Sequence, residues 1–391
     1  MTASAQPHTA IVLGGGGARA AYQVGALRAI ASLHARAGPS PFPIVCGTSA
    51  GAINAATLAL HADDFRRGVA RLTRWWRRIG ASNVYRSDFG ELSRHSAQFL
   101  AAVLTGTRPP EGVASLLDNA PLAHLLREEF DFARLSSRIR EGNLRALAIN
   151  ATSYSTGHSV SFFEGESGLR DWRRMRRSGE RAALSHDHLL ASTAIPFLFP
   201  AARIGDDWYM DGSVRQLAPL SAALNLGARR ILVVAVGQFN GQRVPPPPGD
   251  YPSFAQAAGH ALSTVFLDIL ASDIERTMQV NRVLALVPPD AAARLPLGHV
   301  DALVLAPSRD LGAMALAYAD RLPGAVRALL RGLGSTAGTG ASLTSYLMFE
   351  PKFCRALIAL GYEDTMARRD DVVAFLAGGS HPAPLLPPNF G

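Results

Sequence analysis

The sequence of 391 residues predicts a three-layer α/β/α fold with a mostly parallel central sheet. Two observations carry this prediction. In the first 60 residues, short apolar runs alternate with Ala- and Leu-rich stretches, and a glycine-containing turn follows each run. This alternation is typical of parallel strands joined by helices that cover the sheet. In addition, 48% of the residues are hydrophobic, which is enough to fill a substantial core.

The first two strand–turn–helix units can be assigned from local patterns. Each strand is a short apolar run bounded by a turn signal, and the helices are Ala-rich. Pro39, Pro41 and Pro43 end the first helix. The predicted order is strand 10–13, glycine loop 14–17, helix 18–37, strand 44–46, turn 47–51, and a helix to about residue 60.

The rest of the chain predicts a catalytic core of residues 1–240 followed by a mostly helical extension of residues 241–391 that packs on it. Residues 61–140 are rich in Arg and mostly helical in pattern, and we interpret them as an insertion over the core. The domain boundary is expected near residues 240–255. Further strands are predicted at residues 144–151, 159–163, 208–210, 230–236, 283–287 and 302–306, and further helices at 180–195, 254–282 and 342–375.

Charge and cysteine content restrict the classes of partner and compartment. The formal net charge of +8 favours anionic partners, but no nucleic-acid docking motif is present, so no nucleic-acid partner is expected. Two cysteines, Cys46 and Cys354, make neither a disulfide framework nor a zinc site. The N-terminus has no signal-peptide pattern, and no run of about 18 apolar residues occurs. We therefore expect a cytoplasmic protein.

A G-x-S-x-G pattern, Gly47 to Gly51, follows the second predicted strand and precedes a predicted helix. In this position the pattern is typical of a nucleophile elbow, in which small flanking residues permit a sharp turn that exposes the serine hydroxyl. The N-terminus of the following helix favours negative charge that develops during a reaction. Ser49 is therefore the candidate nucleophile, and the alternative is an ordinary turn of small residues.

The glycine loop at residues 14–19 allows two interpretations. Backbone N–H groups of Gly15 to Ala18 can converge on a carbonyl oxygen and form an oxyanion hole. Alternatively, Gly15-x-Gly17-x-x-Ala20 fits the loose pattern of a dinucleotide-binding loop. The second interpretation requires an acidic residue about 20 positions further on, whereas the first acidic residue of the chain is Asp63.

A third candidate is Asp211, which follows the apolar and aromatic run Trp208 to Met210 and precedes Gly212 and Ser213. An Asp at the end of a strand, followed by Gly, can point into a site at the edge of a sheet. By itself an Asp-Gly pair usually forms a turn. A catalytic role for Asp211 therefore depends on the two glycine motifs upstream.

In this order, the three motifs resemble those of the patatin-like phospholipase family. The resemblance covers roughly residues 8–240, and the combination is more specific than any of its parts. The matching stretches are residues 14–25, 47–51 and 211–212, and residues 191–200 look like the segment that precedes the family's aspartate.

The resemblance implies a bacterial-type Ser-Asp dyad without a catalytic histidine, and it implies hydrolysis of the carboxylic ester bonds of phospholipids or lysophospholipids. It implies neither a metal nor an organic cofactor. The sequence departs from the family at two positions. Ala20 stands where the family commonly has Gly, and Ser213 stands where it commonly has Gly or Ala. The implied site residues are Ser49 and Asp211 as nucleophile and base, Gly15, Gly16, Gly17 and Ala18 as the oxyanion hole, and Arg19, Gly47, Gly51 and Gly212 as supporting motif residues.

Three alternatives stay open. A Ser-His-Asp triad in the order of the α/β-hydrolases requires a histidine after Asp211, and His260, His299 and His381 are available. A simple carboxylic ester or an aliphatic polyester is an alternative substrate to a lipid. The third alternative is a catalytically silent lipid-binding scaffold on the same fold.

Two segments rich in Arg and Trp, residues 66–78 and 171–177, suit the headgroup region of a membrane. They predict a peripheral membrane contact. The competing interpretation is a solvated helix whose tryptophans are buried in the core. The two interpretations differ in whether Trp75, Trp76 and Trp172 are exposed.

Overall fold

The computed structural model contains a ten-stranded sheet within the residues that it describes. These residues are 8–34, 38–107, 115–216, 218–239, 254–292, 294–295, 298–332, 341–379 and 385–387. The strands are β1 (His8–Leu13), β2 (Ile44–Thr48), β3 (Ala146–Ser153), β4 (Ser159–Gly165), β5 (Trp172–Arg174), β6 (Arg177–Arg181), β7 (Ala202–Ile204), β8 (Asp207–Asp211), β9 (Ala228–Val234) and β10 (Asp301–Leu305).

Helices cover the sheet on both faces. A 3₁₀ turn, Gly17–Ala20, leads directly into the first α-helix, and further 3₁₀ turns are Gly212–Arg215 and Ala319–Arg321. The α-helices of the described residues are α1 (Ala21–Leu33), α2 (Ala50–Leu60), α3 (Phe65–Trp76), α4 (Ala81–Val84), α5 (Phe89–Thr105), α6 (Ala120–Glu129), α7 (Ala133–Arg140), α8 (His186–Thr193), α9 (Ser221–Asn225), α10 (Phe254–Leu286), α11 (Pro289–Ala292), α12 (Leu311–Leu316), α13 (Gly324–Gly332), α14 (Ala341–Leu347), α15 (Pro351–Ala367) and α16 (Arg369–Leu376).

The sheet is parallel in its centre and mixed at one side. Five strands run parallel in the order β10–β9–β1–β2–β3. Beyond them, β4 is antiparallel to β3, β6 is parallel to β4, and β5 is antiparallel to β6. The strand β8 also pairs with β3, and its last residue Asp211 lies opposite Ala151. Thr48, the last residue of β2, lies opposite Asn150, the neighbour of Ala151 on β3. The ends of β2 and β8 therefore meet at one edge of the sheet.

Alternate residues of the central strands face opposite helical layers. In β1, Ile11 and Leu13 belong to one hydrophobic cluster, whereas Ala10 and Val12 belong to another. The first cluster includes residues of α1, α2, α3 and α15, and the second includes residues of α9 and α10. Successive side chains of a strand point to opposite faces of its sheet. The sheet is therefore buried on both faces, and the predicted three-layer α/β/α fold is confirmed.

One predicted strand is wrong. Residues 283–287 were expected to form a late strand, but α10 continues to Leu286. Its buried residues Leu270, Ile274, Thr277 and Asn281 recur every three or four positions, which is the spacing of one helical face. The strands β5 and β6, at the mixed side of the sheet, were not predicted, because they are rich in Arg and lack an apolar run.

Residues after 240 contribute to the sheet and to both helical layers. The strand β10 pairs with β9, and α15 crosses α1 at two glycines. A Cβ atom on Gly25 would collide with the carbonyl oxygen of Ile358, and one on Gly361 with that of Tyr22. Most of the domain boundary expected near residues 240–255 lies outside the described residues. Residues 1–7, where no signal peptide is expected, also lie outside them. Among the helices of the described residues, none has the length and apolar composition required to cross a membrane.

Candidate active site

Ser49 lies in the tight turn between β2 and α2. Its backbone has φ 54° and ψ −134°, a conformation that L side chains rarely adopt and that is typical of strained functional positions. Two glycines make the turn possible. A Cβ atom on Gly51 would collide with the carbonyl oxygens of Leu13 and Gly14, and one on Gly47 would lie 2.5 Å from the Cα atom of Ala52. The G-x-S-x-G pattern thus reflects close packing of the turn against β1 and α2.

Asp211, the last residue of β8, is buried beside this turn and is only 1% exposed. Its Oδ1 atom accepts the backbone N–H of Ser213 at 2.8 Å. Its Oδ2 atom has no partner of regular hydrogen-bond geometry within the described part of the chain. Burial raises the pKa of the Asp211 carboxyl from 3.8 to about 6, although the nearby Ser49 hydroxyl and the N–H and hydroxyl groups of Ser213 act in the opposite direction. The Ser49 hydroxyl is therefore close to this carboxyl.

The glycine loop packs directly against the same two serines. A Cβ atom on Gly15 would collide with Ser213 Oγ and would lie 3.0 Å from Ser49 Cβ. Gly17 has φ +54°, a conformation that favours glycine, and its Cα faces the carbonyl oxygen of Tyr346. Gly17 and Ala18 begin a helical turn, and the first N–H groups of such a turn have no partner within it. Gly15 and Gly17 therefore lie close to Ser49.

Arg19 fixes this loop to α14. Its Nε atom donates to Ser345 Oγ at 2.7 Å, and one terminal nitrogen donates to Ser342 Oγ at 2.9 Å. The guanidinium carbon lies 4.5 Å from the centre of the Tyr346 ring. Arg19 is only 6% exposed, and burial lowers the pKa of its guanidinium. Its position excludes a surface role and is that of an internal brace for the glycine loop.

A narrow apolar cavity of about 30 Å³ lies next to Ser49. The cavity is bounded mainly by α2, α3, α8 and the segment after α14. Its lining includes Ile53, Trp75, Ile79, Leu122, Phe199, Tyr346 and Phe349.

A model of the patatin-like phospholipase family matches residues 11–224, which is more than half of the chain. The chain belongs to the patatin-like phospholipase family. The matched stretch includes Ser49, Asp211 and the glycine loop. The family is one of hydrolases, so membership supports lipid acyl hydrolase activity in general. No curated protein gives a significant match to the chain.

Sequence reasoning missed a second group of polar residues around the patatin-like site. Ser192 Oγ accepts the backbone N–H of Ser49 at 2.8 Å and donates to the carbonyl oxygen of Asn150 at 2.6 Å. The side chain of Asn150 donates to Thr48 Oγ1 at 3.0 Å, and Thr48 Oγ1 donates to Gln216 at 3.0 Å. These bonds hold the backbone of the Ser49 turn in place. The only signal in the sequence was that Ser192 lies in the stretch resembling the family's segment before the aspartate.

A further buried network holds the start of the glycine loop. Trp76 Nε1 donates to Asn54 Oδ1 at 2.7 Å, and Asn54 Nδ2 donates to Gln23 Oε1 at 2.9 Å. Gln23 Nε2 then donates to the carbonyl oxygen of Gly14 at 2.8 Å. Helices α3, α2 and α1 are thereby connected to the loop through buried amide and indole groups.

The structure does not support a Ser-His-Asp triad. Among the described residues, no histidine side chain forms a hydrogen bond with Ser49 or Asp211. His299 pairs with Asp301 at the amino end of β10, whereas Ser49 lies at the carboxyl ends of the parallel strands. The side chain of His260 and all of His381 lie outside the described residues. His188, before Asp211, bonds instead to Ser185 at the start of α8.

Two of the tryptophans expected to contact a membrane are core residues instead. Trp76 is fully buried, and Trp172 is buried and stacks on Phe163 with ring centres 5.1 Å apart. Trp75 is half-buried and lines the cavity at Ser49. A membrane contact through the indoles of Trp76 and Trp172 is therefore excluded, although neighbouring arginines remain exposed.

Proposed function

We propose that this protein is a serine acyl hydrolase that cleaves carboxylic ester bonds of phospholipids or lysophospholipids with a Ser49–Asp211 dyad. The observation that carries the proposal is the juxtaposition of a strained serine, a buried carboxyl and a glycine loop at one edge of the sheet. Family membership supports lipid acyl hydrolysis in general; the dyad and the substrate are the proposal.

In the proposed mechanism, Ser49 Oγ attacks the ester carbonyl carbon while its proton moves to the Asp211 carboxylate. The protonated Asp211 then gives this proton to the leaving alkoxide oxygen as the ester C–O bond breaks, which leaves an acyl group on Ser49. Water next attacks the acyl carbon and gives a proton to Asp211. Collapse of the second intermediate returns the proton to Ser49 and releases the fatty acid.

Burial of Asp211 makes it a better base than an ordinary aspartate. Its pKa of about 6 lies nearer to neutral pH than 3.8, and a catalytic group is most effective when its pKa lies close to the working pH. The carboxyl remains mostly ionised at pH 7, so it can accept the proton. Asp211 Oδ2, which has no partner of regular hydrogen-bond geometry among the described residues, is proposed to accept the Ser49 proton.

Developing negative charge on the carbonyl oxygen requires donors that are already oriented. Backbone N–H groups of Gly15, Gly16, Gly17 and Ala18 are proposed to form this oxyanion hole, supported by the bonds of Arg19 to α14. Preorganised donors of this kind commonly contribute about 100- to 1000-fold to the rate. The apolar cavity beside Ser49 is proposed to take the acyl chain, because its lining is suited to a hydrocarbon.

The proposal is tested by labelling the purified protein with a fluorophosphonate probe. Wild-type protein should be labelled, Ser49→Ala should not, and Ser32→Ala, which removes an exposed serine of α1, should be labelled like the wild type. Release of fatty acid from phospholipids, lysophospholipids, short esters and an aliphatic polyester then identifies the substrate class. An unlabelled wild-type protein, alongside a reactive control hydrolase, would instead favour a catalytically silent lipid-binding scaffold.

A further inference from the structure

Four arginine side chains line one hollow on the surface beside α3. The hollow measures about 370 Å³, and its lining consists of Arg74, Arg77, Arg78 and Arg355. All four are exposed, and none is paired with a carboxylate within the described residues. Four like charges in one hollow repel each other, and a bound anion would relieve this repulsion.

Two helices that are distant in the sequence contribute to this hollow. Three of its arginines lie at or just beyond the end of α3, where cations are favourable because of the helix dipole. Arg355 comes instead from α15, and its Nε atom donates to the carbonyl oxygen of Arg77 at 3.4 Å. The helix dipole of α3 therefore does not account for the whole cluster, since a second helix directs a cation into the same space.

The hollow lies near the surroundings of Ser49, because neighbouring cavities share lining residues. A neighbouring hollow of about 380 Å³ shares Arg74 and Arg78 with the first and is also lined by Trp75 and Ile79. Trp75 and Ile79 in turn line the apolar cavity at Ser49. One carboxylate lies in the neighbouring hollow, that of Glu129, and Arg71 pairs with it at 2.7 Å. Cationic and apolar surfaces are thus adjacent along α3.

We propose that the four-arginine hollow binds the phosphate-bearing headgroups of an anionic phospholipid surface, and that it orients the lipid so that an acyl chain enters the cavity at Ser49. Guanidinium groups bind phosphate through paired, charge-assisted hydrogen bonds, and the half-buried Trp75 suits the headgroup region. The identification of the anion as a lipid rests on the proposed function. The binding of an anion in the hollow does not depend on that function.

Binding is measured by vesicle co-sedimentation with full-length Ser49→Ala protein, so that hydrolysis cannot alter the vesicles. One set of vesicles is pure phosphatidylcholine, and the other contains 30% phosphatidylglycerol as an experimental choice of roughly physiological anionic content. In this background, Arg74, Arg78 and Arg355 are replaced together by Gln, and in a second variant by Lys. The matched control replaces Arg170, Arg282 and Arg294, which are also exposed and without an ion pair among the described residues, and it removes the same charge.

We expect binding to the anionic vesicles only, and binding on the order of 100-fold weaker in the Gln variant, because each basic side chain near an anionic surface contributes about fivefold. The matched control should lose less than about threefold, and the Lys variant should remain within about tenfold of the parent protein. Equal losses in the Gln variant and the matched control would overturn the proposal, as would equal losses in the Gln and Lys variants.

Two further outcomes distinguish the source of the anion. If inorganic phosphate, titrated to about 10 mM at constant ionic strength, binds the parent protein but not the Gln variant, while both proteins bind anionic vesicles equally, the hollow is a site for a free anion and the lipid proposal fails. If a short nucleic-acid duplex binds more tightly than the vesicles and the Gln variant loses that binding, the occupant is a nucleic acid and the proposal also fails. Because catalysis plays no part in these assays, failure of the Ser49 labelling experiment leaves their result unaffected.

Discussion

Replacing Asp211 with Asn is expected to stabilise the folded protein while it abolishes hydrolysis. Asp211 is 1% exposed, and burial raises its pKa from 3.8 to about 6. At neutral pH, the carboxylate is therefore less favourable in the folded chain than in the unfolded chain. Asn has nearly the same shape, keeps an oxygen that can accept the Ser213 N–H, and has no charge for burial to penalise.

The magnitude follows from the difference between the two pKa values. A separation of about two pH units corresponds to about 3 kcal/mol in the free energy of unfolding. The pKa of Asp211 is higher in the folded state than in the unfolded state. Wild-type protein therefore has this contribution to its free energy of unfolding below about pH 4 and loses it as the pH rises through about 6. With an unfolding entropy of about 2.1 cal/mol/K per residue, a chain of 391 residues would gain about 4 °C in unfolding temperature at pH 8.

The assay compares the unfolding temperatures of wild-type protein and Asp211→Asn between pH 4 and pH 8, together with hydrolysis of a soluble ester. The two curves should coincide near pH 4 and separate by about 4 °C at pH 8, and hydrolysis should fall by about 100- to 10,000-fold. The raised pKa of Asp211 would be refuted if Asp211→Asn were no more stable than wild type at pH 8. It would also be refuted if the difference in unfolding temperature between the two proteins did not depend on pH.

Asp207, four residues earlier on β8, provides a control because its pKa is shifted in the opposite direction. Slight burial raises the pKa of its carboxyl, but hydrogen bonds from Ser153 and Ser155 outweigh this effect, so the pKa is lowered overall. Its carboxylate therefore stabilises the folded protein above the unfolded-state pKa, and the stability is lost as the pH falls through the folded-state pKa. Asp207→Asn should lower the unfolding temperature at pH 8, whereas Asp211→Asn should raise it.

Three further substitutions test the packing around the site. Ser192→Ala leaves a buried N–H without its acceptor, so the free energy of unfolding in urea should fall by about 1–3 kcal/mol and kcat should fall with it; unchanged stability would contradict this. Gly15→Ala places a Cβ atom against Ser213 Oγ, so ester hydrolysis should fall by about 100-fold, and adding Ser213→Ala should restore part of it. Gly361→Ala forces α15 away from the carbonyl of Tyr22, which should cost about 1–3 kcal/mol in urea unfolding with little change in the KM of a short ester.

The sequence was sufficient for the parts of the site that are encoded locally. The turn at Ser49 and the glycine loop each occupy a few consecutive residues, because the close approach of backbone segments demands glycine at particular positions. The parallel strands were also predictable, since strands buried on both faces are short apolar runs. Asp211 needed the resemblance as well, because an Asp-Gly pair alone usually forms a turn.

The bonds that hold these local motifs were not predictable, because they join residues far apart in the chain. Ser192 and the backbone of Ser49 are separated by 143 positions, and no local pattern marks such a pair. The location of Trp76 did have a local signal that was overlooked. Phe65, Val69, Leu72 and Trp76 are buried at the spacing of one helical face, so the periodicity of α3 assigns Trp76 to the core and leaves the arginines outside.

The arrangement around Arg19 bears on how far the active site extends along the chain. The family match ends at residue 224, yet the hydrogen-bond partners of the Arg19 guanidinium lie on α14, at Ser342 and Ser345. A chain that ended near residue 240 would leave this buried cation without those acceptors, and leaving a buried charged group unpaired is costly. It would also lose Tyr346 from the cavity wall beside Ser49. We therefore infer that the residues after 240 complete the glycine loop and the acyl cavity, and that the matched segment does not form the whole site.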